Sequence, residues 1–291
     1  MLAILNAKGN APNPSPSIVA CLSAGRRTMR LLMRWKTGSV AICVALSMLG
    51  LAQISPAAED QQARAIVDRV TRLLISKSCT ATVEMQVSKP DLQKQISMRF
   101  WSLGEANILV RILEPKDDAG TAILKSGGDS WMYLPKANRA IAMPPSMMMT
   151  SWMGSDFTLN DLVNQSRLTD DYAVVQAFDG QRDGVAVTEY TLTPKPTAAV
   201  VWGKITLQIR KADLMPIWQR YYDEDGKLIR ELSFSDYKTV SGRLIPTRLV
   251  MRSLDKPGQQ TTIAYANIVF DAPISEETFS LQDFFAQQNR Q

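Results

Sequence analysis

Three short acidic runs, Asp117-Asp118, Asp170-Asp171 and Asp223-Glu224-Asp225, are the groups whose type and spacing could do chemistry. Two carboxyls sharing a site can divide the roles of proton donor and of base or nucleophile that glycoside hydrolysis needs. The Asp-x-Asp spacing from Asp223 to Asp225 also resembles the start of a calcium loop. Each run, however, sits where a turn is expected, as beside Pro115 or Gly226, and solvated carboxylates are normal in turns. Gly226 comes too early for a calcium loop, and the distal Glu is missing. An all-carboxylate enzyme is therefore the third reading of the chain, and no catalytic residue, metal or cofactor is assigned.

Other chemistries fall on composition. The sequence contains no histidine, which removes Ser-His-Asp and Cys-His pairs, an imidazole base near neutral pH, and ordinary zinc or haem sites. Gly127-Gly128 and Gly154-Ser155-Asp156 belong to no GxxxxGK or GxGxxG arrangement and read as turns or helix starts.

The N-terminus reads as an address. Arg26, Arg27, Arg30, Arg34 and Lys36 precede the apolar run 40–51, and no acid occurs before Glu59; this is the pattern of a secretory leader. Ser55-Pro56-Ala57 supplies a cleavage site near Ala57, so the mature chain is expected to begin at Ala58, with residues 1–57 as extension and signal peptide and 58–291 as a single domain. A start at Met29 or Met33 would give a leader of ordinary length. The apolar run is short for a membrane span. Lipidation at Cys43 is disfavoured by Ile42 and the charged upstream stretch, and the Arg26-Arg27 pair alone is a weak twin-arginine signal.

Charge follows the leader. Six of the 33 basic residues and none of the 28 acidic ones precede Ala58, which leaves 27 against 28, or about −1. The basic balance belongs to the leader, and nothing beyond it forms the basic stripe of a nucleic-acid binder. Only Cys79 of the three cysteines survives cleavage, so no internal disulfide is expected.

Elements that would position a site follow from periodicity. Ala63, Ile66, Val67, Val70, Leu73 and Leu74 fall at helical spacing in an amphipathic helix over 59–77. From Thr80 the period changes to two, with Val83, Met85 and Val87 on one side of a strand. Further strands are predicted at 93–103, 106–114, 120–126, 129–134 and 138–143, then at 185–193, 201–211, 216–222, 227–238, 244–254 and 260–270. The short connections favour an antiparallel meander, and about eleven strands exceed a flat sheet. The expected fold is mostly antiparallel β with helices (α+β), an unclosed and strongly curved β-barrel. Its covers would be the N-terminal helix and a mid-chain helical segment over 144–170, a lid or a plug of the concavity, where Thr158 and Asp161 suggest a capping box.

Met143, Met147, Met148, Met149 and Met153 lie close together with Trp152 and Phe157. Methionine is unbranched and polarizable and adapts to a chain of variable shape; core filling and a protein-binding patch are the alternatives. On 108–113, Ile108, Val110 and Ile112 share one face and Leu109, Arg111 and Leu113 the other, so both sides need cover, by ligand or by sandwich packing. Trp131 and Tyr133 alternate in the same way with Met132 and Leu134.

The stretches ILEPKDDAGTAIL, WMYLPKANRA, SWMGSDFTLNDL, DLMPIWQRYYDEDGKLIRELSFSDYK and ISEETFSLQDF resemble the outer-membrane lipoprotein-sorting branch of the LolA/LolB-like superfamily. That resemblance implies an apolar cavity sheltering the acyl chains of lipoproteins, or another lipid, on the way to the outer membrane, with a donor transporter in the inner membrane and an acceptor in the outer one. The expectation is a monomeric periplasmic carrier with no catalytic residue. Its lipid-binding candidates are Ile108, Val110, Ile112, Trp131, Tyr133, Trp152, Met153 and Phe157, and its lid or partner contacts are Met143, Met147, Met148 and Met149. The alternative is an accessory protein that docks on a resistance-nodulation-type lipid exporter and carries nothing itself.

Overall fold

The computed structural model describes residues 60–163, 168–198, 200–282 and 284, all within one compact unit, residues 54–291. The expected leader and cleavage site lie outside the described residues.

Helix α1 (Gln61–Thr71) starts where the Asp60 carboxylate accepts from the backbone N–H groups of Gln62 at 2.9 Å and Ala63 at 3.1 Å, two donors that a helix start leaves without partners. Ala63, Val67 and Val70 form its buried stripe. The helix ends earlier than periodicity suggests, since residues 72–74 already turn.

Six strands follow: β1 (Ser78–Lys89), β2 (Leu92–Leu103), β3 (Asn107–Glu114), β4 (Ala122–Ser126), β5 (Asp129–Leu134) and β6 (Arg139–Ala142). After a mid-chain segment come β7 (Tyr172–Arg182), β8 (Val185–Pro194), β9 (Lys204–Arg210), β10 (Met215–Tyr222), β11 (Leu228–Val240), β12 (Arg243–Ser253) and β13 (Gln260–Phe270). They form one antiparallel sheet in the order β6-β5-β4-β3-β2-β1-β13-β12-β11-β10-β9-β8-β7. Each half is a meander of neighbours in sequence. The halves join where β1 pairs with β13, with Val83 opposite Tyr265 and Met85 opposite Ile263. The sheet curls without closing, because β6 and β7 remain its two edges.

Thirteen strands replace the expected eleven or twelve. The unforeseen strand is β7, which buries only Tyr172 and Val174 and carries a bulge between Gln176 and Phe178. An edge strand with one half-covered face shows little of the alternation on which strand recognition depends.

The mid-chain segment, expected as a helical plug or lid, packs as the former and begins without helix. Between the two edge strands, the described residues form a 3-10 turn at Pro145–Met147, an isolated bridge between Ser151 and Thr158, and helical stretches α2 (Leu159–Val163) and α3 (Leu168–Asp171). This strap is inserted rather than laid on top: Trp152, Phe157, Leu159 and Val163 are buried in the main core with the α1 stripe. Helix α1 packs on β7 and α3, so it covers one edge of the sheet.

The two faces of the sheet are buried by different elements. Val83, Met85 and Val87 point inward at 6%, 0% and 0% exposure, each contributing about 1.5–3 kcal/mol through burial. On the outer face of β3 to β5, Leu109, Ala122, Leu124 and Tyr133 are covered by Phe279 and Phe284 of the C-terminal segment. This explains the doubly apolar strand: Ile108, Val110 and Ile112 belong to the interior, and Leu109 lies under the C-terminal segment.

Candidate functional site

The interior of the curled sheet is not filled by its own side chains. A cavity of about 1030 Å³ lies between the strap, the end of α1 and strands β9 to β12. Ile205 and Leu207 of β9, Tyr221 of β10, Leu232 and Phe234 of β11, and Leu249 and Met251 of β12 form its floor. Met143, Met148, Met149 and Phe157 enter from the strap side.

Two buried carboxylates hold the strap in place. Asp161 of α2 meets Arg230 of β11 in a two-pronged ion pair, Nη1 to Oδ2 and Nη2 to Oδ1 both at 2.8 Å, with the Arg230 side chain only 5% exposed. The guanidinium also stacks over the rings of Trp202 at 4.6 Å and Tyr221 at 4.1 Å. Burial alone would lower the pKa of Arg230, but the facing Asp161 reverses this and leaves it above the ordinary value. Asp161 Oδ2 further accepts from the backbone N–H and hydroxyl of Thr158, both at 2.8 Å, which is the expected cap.

Asp156 fixes the other end of the loop. Its Oδ1 accepts from Ser253 Oγ at 2.8 Å, its Oδ2 accepts from Thr261 Oγ1 at 2.7 Å, and Lys89 Nζ stands 3.7 Å away. The strap is thereby tied to β1, β11, β12 and β13. Lys125 Nζ adds a bond to the Val163 carbonyl at 2.8 Å. Tyr172 donates to the Trp202 carbonyl at 3.2 Å, and burial, reinforced by Asp171, pushes its phenol up to about 12.

A second, smaller cavity of about 90 Å³ lies beyond Phe157, among β1, β2, β3 and β13. Thr71, Leu74 and Phe157 border both spaces.

The sequence-based candidates divide accordingly. Ile108 and Val110 line the small cavity, Ile112 lies in the core, and Phe157 lies between the two spaces. Trp152 is buried beside them, and Met153 packs on the same core with a left-handed φ of 52°. Tyr133 faces the opposite side under the C-terminal segment, and Trp131 packs there too while bordering the large cavity. Among the methionines, Met143, Met148 and Met149 border the large cavity, and Met147 closes the 3-10 turn. The acidic runs do not assemble into a site: Asp118 pairs with Lys94 at 2.7 Å, Asp170 with Arg64 at 3.6 Å, and Asp223 accepts from the Lys227 N–H at 2.8 Å. Sequence reasoning missed Arg230 and the side-chain anchors of Asp156.

Cys79 borders the small cavity at 2% exposure. Burial, opposed by Arg243 and reinforced by Asp271, pushes its thiol up to about 11. Since the thiolate is the reactive form, iodoacetamide at neutral pH should alkylate the folded chain starting at Ala58 at least about a hundredfold more slowly than the urea-unfolded chain. Similar rates in the two states would refute this environment.

Comparison with solved structures defines the class. The fold matches a DUF1329 family protein from Desulfovibrio piger (TM-score 0.71, 21% identity, 78% of this chain and 99% of that one). It also matches a protein from Vibrio parahaemolyticus described as an outer membrane lipoprotein-sorting protein domain (0.69, 22%, 77% and 99%). A LolA superfamily protein from Nitrosomonas europaea is similar too (0.65, 20%, 76% and 98%). The architecture is LolA-like. A family model described as an uncharacterized protein matches residues 104–284, more than half of the chain, and the chain belongs to that family. No curated protein sequence matches significantly. No described helix is long and apolar enough to cross a membrane.

Proposed function

We propose that the chain is a periplasmic carrier, exported by its leader, that shelters lipoprotein acyl chains or another lipid during transfer toward the outer membrane. The observation behind this reading is the cavity of about 1030 Å³ under the strap, with its floor of aliphatic and aromatic side chains. An apolar space of about 150 Å³ accommodates benzene, so this one has room for roughly 40 carbon atoms, enough for two long acyl chains. Each methylene taken out of water contributes about 0.8 kcal/mol, so the apolar floor of the hollow provides the grip. Donor and acceptor would be an inner-membrane transporter and an outer-membrane receptor, with the carrier acting as a monomer and without catalysis. The accessory-subunit reading leaves the hollow without a use.

Gentle purification of the chain starting at Ala58, followed by mass spectrometry of an organic extract, tests this. Lipid in near-stoichiometric amount is expected. A chain that arrives lipid-free and does not take up a fluorescent fatty acid overturns the proposal.

A further inference from the structure

We propose that the small cavity behind Phe157 is a separate subsite for the methyl end of an acyl chain, and that the Phe157 ring is the partition that admits it. The inference rests on the carrier reading and adds an orientation: polar end toward the strap and the large cavity, hydrocarbon end toward β1, β2 and β3.

Three features carry it. The first is adjacency, since Phe157, Leu74 and Thr71 border both cavities and the two are neighbouring rooms with a side-chain wall. The second is the construction of that wall. The Phe157 backbone is pinned, its carbonyl accepting from the Trp152 N–H at 2.8 Å and its N–H donating to Ser155 Oγ at 3.2 Å. With the backbone held, opening the passage falls to the ring torsions. The third is chemistry. Beyond the ring the space is bounded by Met98, Phe100, Ile108, Val110 and Ile263 among others, and its charged neighbour Glu105 is ion-paired with Arg72. Interiors rarely keep voids larger than a water molecule. By the benzene measure, about 90 Å³ accepts roughly three or four carbon atoms, a fit for a chain terminus and too small for a headgroup.

The test uses a long-chain fatty acid with a diazirine on its terminal carbon, photolysed on the whole mature chain, with the adducts mapped by peptide mass spectrometry. Adducts are expected on the β1, β2 and β3 segments that line the small cavity. Phe157→Leu, which lowers the partition, should raise their share severalfold, and Leu74→Ala should do the same from the other side, so the test survives if one variant fails to fold. Ile108→Trp, which fills the subsite, should move the adducts to β11 and β12. Each methylene shut out should weaken binding about fourfold. Adducts on β11 and β12 in every variant would overturn the subsite while leaving the carrier reading intact. Absence of any binding would overturn both.

Discussion

Arg230→Met should destabilise the folded chain by about 3–5 kcal/mol, because it strands the Asp161 carboxylate in the interior without its counter-ion. The side chains are 5% and 11% exposed, so solvent compensates little of the lost partner. For a domain of this size each kcal/mol shifts the thermal midpoint by about 2–4 °C, which puts the fall at roughly 6–20 °C, measurable by differential scanning fluorimetry. The double variant Arg230→Met with Asp161→Leu should recover most of the loss, since removing both charges of a buried pair is far milder than removing one. A single variant within about 1 kcal/mol of the parent would show that the pair does not hold the strap.

Phe234→Asp should abolish lipid retention while leaving the sheet folded. Phe234 projects from β11 into the large cavity and is only partly buried, so the substitution places a carboxylate on the apolar wall and lets water in. Leaving an unpaired charge against hydrocarbon costs about 3 kcal/mol or more, a loss of at least about a hundredfold in affinity for a fatty acid. Tyr133→Ala is the informative comparison. Tyr133 stacks edge-on against Phe284 at 6.2 Å, and its hydroxyl donates to Asn138 Oδ1 at 2.8 Å, on the far side of the sheet. Its loss should lower stability by about 3–5 kcal/mol and leave lipid affinity unchanged. The reverse pattern, with Tyr133→Ala empty and Phe234→Asp loaded, would place the binding surface on the wrong face.

What the amino-acid order revealed, and what it hid, has a physical basis. Strands such as β1 were legible because one face is wet and the other dry, so Val83, Met85 and Val87 alternate with polar neighbours. The tail of β7 hides its periodicity because residues from Gln176 onward are all at least partly exposed. Alternation also showed that Trp131 and Tyr133 share a face but not which face is inside. That choice is made by Phe279 and Phe284, about 150 residues further along, whose docking no local pattern encodes. Arg230 lay hidden for a similar reason: within Leu228-Ile229-Arg230-Glu231 it reads as an ordinary surface charge, and its partner Asp161 is 69 positions away. The strap was recognised by its methionines and its GSDF word, but its anchors were not, because Arg230, Ser253 and Thr261, the partners of Asp161 and Asp156, lie 69 to 105 positions away in sequence.

The ladder between β1 and β13 has a consequence for how the molecule comes into being. Residues 90–259 form one closed loop across that seam, so the entropy of bringing distant parts together falls on a single junction, whereas each meander can zip through local hairpins. Such non-local contacts are slow to form. A polypeptide emerging N-terminus first must therefore wait, with the long flank of β1 uncovered, until its final quarter arrives, and that flank is where a holding chaperone has most to protect.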